Sequence, residues 1–186
     1  VTLLLAALAG YLLGAVSPAT LLARRAGADL RASGSGNPGA TNAGRLLGRR
    51  VGVVVALLDV LKGVVPAAAF GLLASHDAGL VAGFAAVVGH VTSPYLRGRG
   101  GKGVATAAGA VLGSHPLWAP FVLLAWIGVV AATRWVALAS VAAALSIVCV
   151  AVVARAPLAD LVWALAIASV VAGRHRTNFL RWWRAR

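Results

Sequence analysis

Three short segments of this chain hold most of the residues whose types and spacing suit chemistry. The first is Gly34-Ser35-Gly36-Asn37-Pro38-Gly39-Ala40-Thr41-Asn42, bracketed by Arg31 and Arg45 in a sequence otherwise dominated by Leu, Val and Ala. Gly34 and Gly36 allow backbone amides to approach a ligand closely. Asn37 is placed to cap a helix with Pro38 at its first position, and a helix amino terminus favours negative charge. The string also satisfies Gly-x-Gly-x-x-Gly, but a dinucleotide site needs a strand before it. Here an apolar segment and an Arg-rich link precede it, so anion binding is the better reading, and the flanking arginines argue against a merely flexible turn.

The second segment is Gly98-Arg99-Gly100-Gly101-Lys102-Gly103-Val104-Ala105-Thr106. It is not a Walker A loop, because no Gly stands five residues before Gly101 and Gly103 occupies the Ser/Thr place. Lys102 at a helix start with Thr106 one turn on repeats the anion-binding logic, and a plain basic loop is the alternative. The third is Arg174-His175-Arg176-Thr177-Asn178-Phe179-Leu180-Arg181. On a helix, Arg174, Asn178 and Arg181 share a face with His175 beside Asn178. A basic tail binding anionic lipid would not require His175 or Asn178.

Other familiar chemistry is missing. Five residues beyond His90 stands Tyr95, and beyond His175 stands Leu180, so no His-x-x-x-x-Asp acyltransferase box exists. No Ser-His-Asp or zinc arrangement suggests itself. Cations, amides, hydroxyls and one or two histidines suit a reaction between phosphate-bearing reagents whose electrophile arrives already activated, where orientation and charge stabilisation do most of the work.

The elements that must position these residues are apolar. Of 186 residues 61% are hydrophobic and 11% charged, more apolar surface than one soluble globule can hide, which implies an integral membrane protein. The 17 Lys and Arg against four acidic residues, all Asp, fit positive-inside loops. The basic clusters lack interleaved aromatics until the last residues, so nucleic acid is not an expected partner. The lone Cys149 sits in an apolar run and forms no intrachain disulfide.

Apolar stretches fall at about 1–23, 51–74, 79–96, 104–114, 117–133, 136–154 and 158–173. Several are shorter than the roughly 20 residues that span a bilayer. A cleavable signal is the other reading of 1–23, but that stretch lacks a basic leading region. With the amino terminus outside and all seven crossing, Arg24, Arg25, Arg31, Arg45, Arg49, Arg50, Arg97, Arg99, Lys102, Arg134, Arg174, Arg176, Arg181, Arg184 and Arg186 fall inside, and only Arg155 outside. Treating 104–133 as a single crossing would misplace Arg134 and the basic tail. The expectation is therefore an all-α polytopic membrane protein of seven transmembrane helices, amino terminus outside and carboxyl terminus cytoplasmic, forming one membrane-embedded domain over 1–186. All three polar segments then emerge on one face. Gly10 and Gly14 predict close helix packing. Asp59 and Lys62, three apart, read as a mutually neutralising pair. His90 is either a packed polar residue or a site member.

In this order, "DLRASGSGNPGATNAGR", "DVLKG", "GH", "GGKGVATAAG" and "RHRTNFLR" resemble the bacterial acyl-phosphate:glycerol-3-phosphate acyltransferases of the PlsY type, over about residues 11 to 181. The resemblance implies transfer of a fatty acyl group from acyl phosphate to the sn-1 hydroxyl of glycerol 3-phosphate, giving lysophosphatidic acid and phosphate, the first step of bacterial phospholipid synthesis. It implies Ser35, Lys102, His175 and Asn178 as catalytic residues. Substrate phosphate would be held by Gly34, Gly36, Asn37, Gly39, Thr41, Asn42, Arg45, Gly101, Gly103, Thr106 and Ser140. It further implies no cofactor and no metal, membrane lipid as surroundings, a bacterial cytoplasmic membrane location with the active site facing the cytoplasm, and the soluble acyl-phosphate-forming enzyme as a candidate docking partner. Gly14-Ala15-Val16-Ser17-Pro18 stands where the family has Gly-Ser-x-Pro, and no Gly-x-Glu follows the third motif.

Overall fold

The structure, a computed structural model, describes residues 1–184. Arg186, placed above among the inner charges, lies outside the described residues. Among the described residues there are nine α-helices, one 3-10 turn and no strand. The helices are α1 (Thr2–Ala15), α2 (Pro18–Arg25), α3 (Ala40–Leu47), α4 (Arg49–Leu73), α5 (His76–Thr92), α6 (Val104–Ser114), α7 (Ala119–Thr133), α8 (Val136–Val153) and α9 (Leu158–Arg184), with the 3-10 turn at Pro94–Leu96.

Each of the seven apolar stretches is helical over most of its length. Five helical stretches are long and apolar enough to cross a membrane: Thr2–Arg25, Arg49–Leu73, His76–Leu96, Val136–Val153 and Leu158–Arg184. α6 and α7, of 11 and 15 residues, are shorter. Large apolar side chains such as Leu4, Leu72, Leu73 and Val153 point outward, as expected where the surroundings are hydrocarbon.

The core lies among α5, α6, α8 and α9, where Leu80, Val87, Val111, Ile147, Trp163, Ile167 and Val171 pack together. α1 lies against α5. A Cβ added at Gly10 or Gly14 would fall on the backbone of Ala82 or Ala86, so this Gly-x-x-x-Gly pair is what lets the two helices approach.

One expected segment is broken. Residues 1–23 form two helices, because Ser17 starts α2, its hydroxyl accepting from Thr20 N at 3.3 Å, and Pro18 occupies the first turn. The break frees carbonyls at the end of α1, and distant side chains satisfy them. Ser93 Oγ donates to Ala15 O at 2.6 Å, and Lys62 Nζ donates to Val16 O at 2.7 Å. Lys62 Nζ also lies 2.8 Å from Asp59 Oδ1, with both side chains buried. The expected neutral pair is present, and its cation additionally caps a helix carboxyl end.

Candidate functional site

Asn42 organises the first polar segment. The residue is 2% exposed; its Oδ1 accepts from Ser35 N at 3.0 Å and its Nδ2 donates to Leu30 O at 2.9 Å and Ser33 O at 3.1 Å. The loop from Leu30 to Gly39 is thereby wound around one side chain. Gly34 has φ +60°, and a Cβ there would strike Asn42 Oδ1, so both the turn and the close approach require glycine. The loop spends its residues in this winding, so α3 starts later than expected. Its N-cap is Gly39, in extended conformation, and neither Asn37 nor Pro38 takes the cap or first-turn place.

The second segment is fastened to α5 and α9. Gly100 N donates to Val91 O at 3.0 Å and Gly101 N to His90 O at 3.0 Å. Arg174 of α9 donates to Gly101 O at 3.3 Å and Gly100 O at 3.2 Å. A Cβ on Gly101 would fall on the His90 ring. His90 is itself fixed by Thr106 Oγ1 at 3.2 Å from Nδ1 and by Asp59 Oδ1 at 3.6 Å. The two readings open for His90 resolve in favour of a buried packing and positioning residue beneath the loop.

α9 runs unbroken through the third segment, so Arg174, Asn178 and Arg181 do share a face. Lys102 Nζ donates to Asn178 Oδ1 at 2.8 Å, joining the second and third segments. Arg31 Nη2 donates to Arg99 O, joining the first and second.

These contacts enclose a cleft of about 320 Å³. Ser35, Gly36, Asn37, Lys102 and Asn178, from all three segments, line it. Six cations also face it: Arg31, Arg99, Lys102, Arg174, Arg176 and Arg181. Among the described residues no Asp, Glu or His lines the wall. The pKa of Lys102 is held below the ordinary lysine value, first by burial and then by the charges of Arg181, Arg174 and Arg45. An arriving anion relieves that repulsion.

The remaining candidates fall elsewhere. Thr41 and Arg45 line a second, mostly apolar groove of about 490 Å³ with Ala40, Gly44, Val53 and Trp126. Arg45 is nevertheless near enough to act on Lys102. His175 is 2% exposed behind the wall, and Nδ1 donates to Val171 O at 2.8 Å, which leaves the lone pair on Nε2. Gly34, Gly39, Gly101 and Gly103 shape the loops without lining the cleft. Asn42 and Thr106 are buried, at 2% and 0% exposure, with side chains committed to the loop and to His90, and neither lines the cleft. Ser140 is likewise not on the cleft: its hydroxyl donates to Val136 O at 2.8 Å and accepts from Trp126 Nε1 at 3.4 Å.

Sequence reasoning named the face of Arg174 and Arg181 without counting either as a site residue; the i, i+4, i+7 spacing was the available signal. Arg31, a flank of the first segment, and Arg99 and Arg176, within the second and third, were likewise not counted as site residues, and Trp126 had no signal at all.

The family model described as glycerol-3-phosphate acyltransferase matches residues 4–185. This chain belongs to the glycerol-3-phosphate acyltransferase family. The glycerol-3-phosphate acyltransferase of Geobacter sulfurreducens is 46% identical over 173 residues, covering 92% of this chain and 89% of the relative. That of Aquifex aeolicus is 41% identical over 177 residues, covering 92% and 90%. The crystal structure of PlsY (YgiH), an integral membrane glycerol 3-phosphate acyltransferase, in its glycerol 3-phosphate form superposes with a TM-score of 0.95 at 38% identity, covering 100% of this chain and 94% of the other. The lysophosphatidic acid form gives 0.93 at 37% identity, with the same coverage. The chain is an all-helical membrane acyltransferase of a family found in bacteria.

Proposed function

We propose that this protein transfers a fatty acyl group from acyl phosphate to the sn-1 hydroxyl of glycerol 3-phosphate, releasing lysophosphatidic acid and inorganic phosphate. The observation that carries this reading is a cleft on whose wall, among the described residues, stand six cations and no carboxylate or imidazole. Such a wall suits two phosphate-bearing reagents and offers no protein base.

In this scheme the cationic wall, with the Ser35 hydroxyl and the Asn37 side chain, orients both phosphates. The acyl chain lies along the apolar groove beside Trp126, with Arg45 at its polar end. The glycerol hydroxyl oxygen attacks the acyl carbonyl carbon, the bond from that carbon to the phosphate oxygen breaks, and the hydroxyl proton passes to a substrate phosphate oxygen. Lys102 and Asn178, joined at 2.8 Å, stabilise charge gathering on the leaving phosphate. His175, buried one layer behind with Nδ1 donating to Val171 O, does not take the proton.

The same reading places the protein in a bacterial cytoplasmic membrane as one domain crossing seven times, the amino terminus outside and the cleft and carboxyl terminus facing the cytoplasm. Short α6 is compatible with this, because its glycine-rich entry is buried against α5 and α9 with its amides and carbonyls paired, the condition under which irregular backbone is tolerated at membrane depth. Membrane lipid surrounds the bundle. The soluble enzyme that forms acyl phosphate is the natural candidate to dock at the cytoplasmic mouth.

Purified protein given glycerol 3-phosphate with acyl phosphate, or with acyl-CoA, tests this. Lysophosphatidic acid acylated at sn-1 is expected from acyl phosphate alone. Product from acyl-CoA at an equal rate would refute the donor, and a 2-acyl product would refute the regiochemistry. A transporter would instead carry substrate across vesicles without forming product.

A further inference from the structure

The helices that build the cleft also converge at their far ends. His76 opens α5, His115 follows the last residue of α6, and Asp160 lies in the first turn of α9. Asp160 is 2% exposed, and its Oδ1 lies 2.6 Å from Nε2 of His76 and 2.6 Å from Nε2 of His115. One ligand atom from each of the three residues falls within 4.8 Å of the others. His76 is about 14 residues before His90 on the same helix, roughly 21 Å away at the α-helical rise. The cluster is therefore separate from the cleft.

We propose that His76, His115 and Asp160 bind a divalent transition-metal ion of the zinc class, which fastens the far ends of α5, α6 and α9 to one another. Two imidazole nitrogens and a carboxylate oxygen are a borderline-soft donor set suited to zinc. The ring of His115 is held by stacking on Trp118, centroids 3.9 Å apart, and meets His76 edge-on at 5.2 Å. Among the described residues no Lys or Arg pairs with Asp160, so its buried carboxylate faces only imidazoles. Beside it His115 Nδ1 and Ser114 Oγ are buried without a partner; with an ion on Nε2, Nδ1 carries the proton and is a donor that an ordered water can satisfy.

Ligand atoms about 2.0–2.1 Å from a tetrahedral zinc stand roughly 3.3 Å apart, so each histidine contact with Asp160 opens by about 0.7 Å, and the two imidazole nitrogens, up to 4.8 Å apart, close by as much as about 1.5 Å. The His76 side chain is 52% exposed and is free to move by that amount. Its open side leaves the fourth position to water. The role is structural, since the acyl transfer chemistry lies at the other end of the bundle.

The test uses untagged full-length protein in detergent, stripped by chelator and titrated with Zn²⁺ by calorimetry or with Co²⁺ by visible absorption. One ion per chain is expected, with a Co²⁺ ligand-field band that Asp160→Asn abolishes. His76→Ala removes a half-exposed ring and should leave the packing intact. It should weaken Zn²⁺ binding at least tenfold, since losing even a supporting partner costs ten- to a hundredfold. It should also eliminate the rise in Tm that Zn²⁺ gives the parent, while acyl transfer by the metal-free protein is unchanged. Absence of saturable Zn²⁺ binding, or binding indifferent to His76→Ala, would overturn the proposal and leave a hydrogen-bonded His-Asp-His network.

Discussion

At Lys102 the fold makes a cation that loses its proton more easily than a free lysine, because burial and three arginines oppose its charge. The protonated form is the one that holds phosphate, so activity should fall as pH rises through the lowered pKa, earlier than an ordinary lysine would dictate. The alkaline limb of kcat/KM reports the free enzyme, and Lys102→Arg should displace it upward. Lys102→Ala should lower kcat/KM about a hundredfold, close to 3 kcal/mol of transition-state stabilisation, with normal membrane insertion. Retention of near-normal turnover would remove Lys102 from the mechanism. Asn42 acts differently: it makes three hydrogen bonds inside the first loop. Asn42→Ala should cost about 2 kcal/mol, read as a lower Tm, with a raised KM for glycerol 3-phosphate. Its neighbours explain why part of the site was illegible in sequence. An Asn in a glycine-rich segment looks the same whether it faces a ligand or, as here, its own loop, and Thr106 looks like a phosphate contact until His90 is found against it.

Among the elements, the break between α1 and α2 joins packing to the site. Lys62 holds the freed Val16 carbonyl, pairs with Asp59, and through Asp59 reaches His90, which lies under Gly101. Removing one partner leaves the other charge buried. Asp59→Asn or Lys62→Met should each destabilise the protein by about 3–5 kcal/mol, and Asp59→Leu combined with Lys62→Met should recover much of the loss. Thermal denaturation in detergent, measured for all three, decides whether the pair behaves as a unit. Gly101→Ala should cost turnover more than stability, because its Cβ displaces the loop from the His90 ring. Apolar runs were enough to locate the five long helical stretches and the shorter α6 and α7, since composition alone sets where a chain is content in hydrocarbon. The break at Ser17 was not legible, because the carbonyls it frees are satisfied by residues 46 and 78 positions away.

For the molecule as a whole, convergence of the three polar segments was legible because charge parity puts them on one side before any contact is known. The separation of the polar cleft from the groove that takes Thr41 and Arg45 was not legible, since it depends on where α3 and Trp126 of α7 come to lie. In a Cys149→Ala background, single cysteines at Arg24, Arg134 and Arg184 should be labelled by an impermeant reagent only from the cytoplasmic side, and one at Arg155 only from outside. Labelling of the Arg24 and Arg134 replacements from opposite sides would reject seven crossings.

The shared cleft itself is tested most directly by equilibrium binding of labelled glycerol 3-phosphate to the parent and to Asn37→Ala, Lys102→Ala and Arg181→Ala, one variant per segment. All three should bind more weakly while Tm changes little. If any one of them binds like the parent, its segment does not hold the substrate and the three do not form one site.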